Sequence, residues 1–101
     1  QIKYKGYRIE LDDIESNLCK IDGVKQALVI ADTDISGEVI SLSCYISCDG
    51  EMNSQQIRKS ANNLLPSYMI PKNIIFLESL PLTSRGKIDR RKVALVHGNN
   101  N

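Results

Sequence analysis

Hydrophobic residues along this chain change their spacing several times, and each change marks an element. Ile2, Tyr4, Tyr7 and Ile9 fall in two short alternating runs around Lys5-Gly6, the pattern of two small strands joined by a turn. Leu11, Ile14, Leu18 and Ile21 then recur every three or four residues, which predicts one apolar face of a helix ending before Gly23. Asp12 and Asp13 favour its start through capping and the helix dipole. Val24 to Ala31 is apolar and β-prone, and the turn-rich Asp32-Thr33-Asp34-Ile35-Ser36-Gly37 interrupts it. From Val39 to Cys48 the alternation is regular. Ile40, Leu42, Cys44, Ile46 and Cys48 share one face, and Ser41, Ser43, Tyr45 and Ser47 the other. That pattern predicts a half-buried strand hairpinned to the one before it.

Asn53 or Ser54 is placed to cap a second helix, with Ile57, Ala61, Leu64 and Leu65 as its buried stripe and Pro66 as its stop. Asn73 to Glu78 reads as a third strand, followed by a polar loop. From Val93 onward a short apolar turn and an Asn-rich tail are expected, with 96–101 as disordered tail or linker. No internal repeat is visible. The order of hairpin, helix, strand, strand, helix, strand and loop predicts an α+β fold: a small three-stranded sheet with flanking helices plus an N-terminal β-hairpin.

Size and charge narrow the functional classes. A chain of 101 residues is one domain that buries roughly two-thirds of its unfolded surface, enough for a modest core but little room for a deep private active site. The net charge of +1 provides no global field to recruit nucleic acid or an anionic membrane. No apolar run approaches the ~20 residues of a membrane span, and no signal peptide is expected. The expectation is a cytoplasmic protein without nucleic-acid or membrane partners. The chain starts at Gln1 without an initiator methionine, and is expected to be a piece of a longer protein. Three cysteines argue against a disulfide framework. On one strand, Cys44 and Cys48 would stand ~13 Å apart, too far to bridge. Neither has a partner at zinc-finger spacing, so no metal site is expected.

The densest chemistry lies in Pro81-Leu82-Thr83-Ser84-Arg85-Gly86-Lys87-Ile88-Asp89-Arg90. Proline and small polar residues predict an irregular loop, and Gly86 permits a conformation that bulkier residues resist. Lys87 projects from its tip beside Arg85, Arg90 and Arg91. A nucleotide-binding P-loop is excluded, since that motif needs glycine where Pro81 stands and Ser or Thr where Ile88 stands. The remaining readings are a solvated loop lysine, or a cationic finger reaching an anionic centre outside this chain.

Three blocks together carry a resemblance. Gln1 to Glu15, QIKYKGYRIELDDIE, resembles the "QIKxxGxRIELxEIE" block of adenylate-forming enzymes. Leu65 to Pro71, LPSYMIP, resembles their "LPxYMIP" block, and Pro81 to Arg90 their "PLTxxGKxDR" block. Order and spacing are similar to the C-terminal lid subdomain of these enzymes over residues 1–95. Arg8-Ile9-Glu10-Leu11 and Gly86-Lys87-Ile88-Asp89-Arg90 resemble the amino-acid-activating branch, which comprises nonribosomal peptide synthetase adenylation domains and D-alanine–carrier-protein ligases. The alternatives are the C-terminal subdomain of an acyl-CoA synthetase, or a non-catalytic module that binds a carrier protein.

The resemblance implies a two-step ligase using ATP with Mg²⁺, an amino-acid substrate, and the phosphopantetheine thiol of a carrier protein. ATP would be bound mainly by an N-terminal adenylation subdomain of the same parent chain, and this piece alone would be inactive. It further implies that Lys87 is the catalytic residue of adenylate formation and that Gly86 and Lys87 approach the nucleotide. Lys5, Gly6, Tyr7 and Arg8 would form the hairpin that lines the thiol channel after a rotation of the subdomain. Gly6 would leave space for the pantetheine arm; a tight turn that simply requires glycine is the alternative. Arg8 would steady the hairpin against the large subdomain through Glu10 or Glu15, a solvated surface pair being the alternative. Asp89 and Arg90 would hold the lysine loop by local charge pairing, and Tyr68 and Met69 would pack at the end of the second helix.

Overall fold

A computed structural model describes residues 1–97, with side chains described through Leu95. The chain opens with two short antiparallel strands, β1 (Ile2–Tyr4) and β2 (Tyr7–Ile9), paired Ile2 to Ile9 and Tyr4 to Tyr7. Lys5 and Gly6 have φ of +52° and +81°, the paired left-handed residues of a two-residue hairpin turn. Ile9 is fully buried and delivers the chain into α1 (Leu11–Leu18), which buries Ile14 and Leu18. Glu10 occupies the N-cap position without a side-chain cap bond, while Asp12 and Asp13 lie in the first turn. The acidic pair therefore acts through the helix dipole and not as caps. Ile21 is buried beyond the helix end.

Three strands form the sheet: β3 (Val24–Thr33), β4 (Val39–Cys48) and β5 (Asn73–Phe76), in the order β3-β4-β5. β3 and β4 are an antiparallel hairpin. Asp34 Oδ1 organises its turn by accepting from the Ser36 N–H, the Ser36 hydroxyl and the Glu38 N–H at 2.9, 2.6 and 3.0 Å. β5 pairs with β4 in parallel. A parallel partner needs a crossover, and α2 (Ser54–Asn62) supplies it. Asn53 and Gln56 close a reciprocal capping box at its start. Ile57, Ala61 and Leu65 are buried as expected, whereas Leu64, in the turn that follows the helix end at Asn62, is exposed.

The expectation of a half-buried β4 is corrected. Every residue from Ser41 to Ser47 is buried, because the strand is central in the sheet and covered on both faces. Leu42, Cys44 and Ile46 meet Ile14, Leu18, Ile57 and Leu65 in one cluster. On the other face Tyr45 meets Leu28, Leu80 and Val93 in a second. The serine stripe resembles a solvent face in sequence, yet it is buried with its hydrogen bonds made. Ser41 and Ser43 donate to Asp32 Oδ2 at 2.8 and 2.6 Å. Ser47 donates to Gln26 Oε1 at 2.8 Å, which also accepts the Leu80 N–H. Paired hydroxyls cost little inside a protein.

After β5 the chain crosses Leu80 and forms a small hairpin over Pro81–Ile88. The apolar turn expected from Val93 is instead a helix, α3 (Arg90–His97). Asp89 Oδ1 accepts the Lys92 N–H at 3.0 Å, the bond of an N-cap, and Val93 is fully buried. From Gly98 on, the expected tail lies outside the described residues. Among the described residues no helix is long and apolar enough to cross a membrane.

Candidate functional site

The lysine loop is ordered by its own backbone, contrary to the expectation of an irregular loop. The Thr83 N–H donates to the Lys87 carbonyl at 2.6 Å, and the Gly86 N–H donates to the Thr83 carbonyl at 2.9 Å. Thr83 Oγ1 accepts the N–H groups of Arg85 and Lys87, each at 3.3 Å, while Leu82 and Ile88 form a bridge across the neck. Gly86 closes the turn at φ +83°, and a Cβ there would meet nothing within 4 Å. Glycine is needed here for its backbone angle, not for want of space. Lys87 follows it, exposed, and its ammonium group has no partner among the described residues.

The flanking arginines differ in character. Arg85 and Arg91 are exposed. Arg90 turns back into the molecule: Nη1 donates to the Val29 carbonyl at 2.9 Å, and Nη2 contacts Glu15 Oε2 at 2.7 Å and Asp12 Oδ1 at 3.4 Å. Local pairing of Asp89 with Arg90 is thereby corrected. Asp89 caps α3, and Arg90 reaches α1, which is remote in sequence.

At the first hairpin, Lys5 Nζ lies 5.2 Å from the centre of the Tyr4 ring, within cation–π range. Tyr7 stacks on Tyr68 with ring centroids 3.7 Å apart and planes 8° from parallel. Tyr68 thus braces the hairpin as well as joining Met69 against the first cluster. Arg8 is exposed and does not pair with Glu10 or Glu15. Glu10 accepts from Gln1 Nε2 at 2.7 Å, and Glu15 is held by Arg90 and the Val29 N–H. A groove of about 580 Å³ runs beside this turn, lined by Lys5, Gly6, Gly37 and Glu38 among others.

No hydrogen bond or ion pair among the described residues joins Lys87 to Lys5, Gly6, Tyr7 or Arg8. α1 is one element that touches both ends: it continues from β2 and receives Arg90. The Tyr7–Tyr68 stack and the Arg90–Glu15 pair escaped sequence reasoning, because contacts across 61 and 75 positions leave no periodic signal. Among the described residues no group of three His, Cys, Asp or Glu side chains is placed to hold a metal ion.

Comparisons with known proteins agree with this arrangement. The family model for the AMP-binding enzyme C-terminal domain matches residues 13–87. A plipastatin synthase of Bacillus subtilis is 48% identical over 91 residues, which are 90% of this chain and 4% of that protein. A four-domain nonribosomal peptide synthetase, crystallised in its holo form with AMP and glycine, superposes with a TM-score of 0.74 at 35% identity. That match covers 90% of this chain and 7% of the other. A Mycobacterium tuberculosis fatty acyl CoA synthetase superposes with a TM-score of 0.81 at 27% identity, covering 95% and 19%. The chain thus spans a small fraction of each relative's length. Three sequence blocks, an α+β fold and these matches lead to one assignment: the chain belongs to the AMP-binding enzyme C-terminal domain family of adenylate-forming enzymes.

Proposed function

We propose that this chain is the mobile C-terminal subdomain of an ATP-dependent amino-acid adenylating ligase, with Lys87 as its catalytic group. The observation that carries the reading is Lys87 itself, an exposed and unpartnered cation on a short ordered hairpin. In the first step a substrate carboxylate oxygen attacks the α-phosphorus of ATP. An acyl-adenylate forms as the α–β anhydride bond breaks and pyrophosphate leaves. Negative charge spreads over the oxygens of the transition state, and a compact ammonium on a flexible stem is suited to meet it. In the second step the phosphopantetheine sulfur of a carrier protein attacks the acyl carbon and AMP departs, with Lys5-Gly6-Tyr7-Arg8 beside the thiol. Among the described residues there is no ligand cage for Mg²⁺, which together with most of ATP is assigned to an N-terminal subdomain of the parent. The setting is cytoplasmic.

In the full-length ligase, Lys87→Ala should reduce ATP–pyrophosphate exchange by about 10²–10³, the cost of one well-placed transition-state contact. Thiolation from preformed adenylate should be largely spared. Exchange near the wild-type rate would make Lys87 a bystander. A second reading, the C-terminal subdomain of an acyl-CoA synthetase, is supported by the fatty acyl CoA synthetase superposition. The thiol acceptor separates the two readings: transfer to free coenzyme A favours the second, transfer to a carrier protein the first.

A further inference from the structure

We propose that Arg90 and Glu15 are positioning residues for the adenylation step, clamping the Lys87 hairpin to α1 through the backbone of Val29. This rests on the assignment of Lys87 as the catalytic group. β3 is an edge strand of the three-stranded sheet, so the N–H and carbonyl of Val29 that face away from β4 have no strand to meet. Side chains from two other elements take both. Glu15 Oε2 accepts the Val29 N–H at 2.8 Å, and Arg90 Nη1 donates to the Val29 carbonyl at 2.9 Å. The same Glu15 oxygen accepts from Arg90 Nη2 at 2.7 Å. One carboxylate, one guanidinium and one peptide edge therefore close a ring of charge-assisted hydrogen bonds, which are shorter and stronger than neutral ones.

Location makes the ring more than a surface pair. Val29 is fully buried and the Glu15 side chain is only 16% exposed, so the ring is largely shielded from solvent. Arg90 stands three residues after Lys87. Between them the Asp89 N–H donates to the Pro81 carbonyl at 2.8 Å, tying the hairpin's two ends together one residue before Arg90. Glu15 lies on the helix that continues from the β1–β2 hairpin. The clamp thus sets where Lys87 stands relative to α1, whereas the first hairpin is attached to α1 by the chain itself. Loosening the clamp should displace the lysine and leave the other working end in place. Lysine in place of Arg90 keeps the charge but cannot serve the carbonyl and the carboxylate with a rigid fork.

The test uses the full-length ligase carrying Arg90→Lys, Glu15→Gln, the double variant and Lys87→Ala, each checked for folding by circular dichroism. Misplacing a reacting group by about 1 Å can cost about 10²-fold. Arg90→Lys and Glu15→Gln should each lower kcat for ATP–pyrophosphate exchange about 10- to 100-fold. KM for ATP should stay within about twofold, the signature of an interaction used in the transition state. Carrier loading from preformed adenylate should be retained, and the double variant should be no worse than the poorer single one, as members of one unit behave. Normal exchange in both single variants alongside a crippled Lys87→Ala would refute the clamp and leave the lysine assignment standing. If both half-reactions fall in step, the ring is merely structural and the positioning role is refuted. Wild-type exchange in Lys87→Ala would overturn the lysine assignment, and the clamp's role with it.

Discussion

Gly6 shows how a residue's conformation and its proposed chemistry can be separated. Its φ of +81° follows a left-handed Lys5, and a Cβ built on it would meet nothing within 4 Å. The tight-turn explanation accounts for glycine by itself, so a channel role has to come from what lies beyond this chain. Any L side chain here costs about 1–2 kcal/mol of backbone strain, and that cost is similar for alanine and leucine. Bulk is the difference between them. In the full-length ligase, Gly6→Leu should keep ATP–pyrophosphate exchange and lose transfer to the carrier thiol, while Gly6→Ala should retain most of both. A folded leucine variant that loads its carrier at the normal rate would dismiss the channel role.

At the level of elements, β4 decides both the core and one pH effect. Cys44 lies fully buried between α1 and α2 on this central strand, and burial pushes its thiol from 9.0 up to about 12. The folded state therefore keeps a proton that the unfolded chain releases above pH 9. The stability tied to that proton is complete below pH 9 and declines as pH rises towards 12, by at most about 1.4 kcal/mol per pH unit. Urea unfolding of this chain between pH 8.5 and 11 should show a steeper loss for wild type than for Cys44→Ala; parallel curves would show that the buried thiol has no such effect. The same strand marks the limit of sequence reading. Its extent, its hairpin with β3 and its inward Leu42, Cys44 and Ile46 were all legible from alternation. The burial of Ser41, Ser43 and Ser47 was not, since it depends on Asp32, Gln26 and the late arrival of Leu80 and Val93. α3 was overlooked for a related reason: eight residues starting with three cations carry little apolar periodicity. At the candidate site, the first turn and the exposed position of Lys87 after Gly86 were legible from glycine placement, while the hydrogen bonds that order the lysine hairpin around Thr83 were not. The Arg90 and Tyr68 contacts were not, because they exist only once the chain is folded.

The whole molecule joins two apolar clusters on opposite faces of one sheet, with a radius of gyration of 13.1 Å, close to the ~13 Å of a folded domain of 100 residues. Residues 1–97 on their own should accordingly unfold cooperatively, yet show no ATP–pyrophosphate exchange with any amino acid; measurable exchange would contradict the assignment of most of the nucleotide pocket to another subdomain. Among the described residues the second cluster has four buried members, and Val93 of α3 is one of them. Ending the chain at Lys87 removes that side chain, whose burial is worth about 1.5–3 kcal/mol, and the Arg90 clamp with it. Scanning calorimetry should find residues 1–87 less stable than 1–97 by about 6 °C or more in Tm, and equal melting temperatures would deny α3 any part in the fold. The family match stops at residue 87, but the architecture runs on to His97. Anyone grafting this subdomain onto another adenylate-forming enzyme to make a chimera would, by splicing at the edge of the match, keep Lys87 and lose both α3 and the Arg90 contacts to Glu15 and Val29. The seam belongs on the far side of α3.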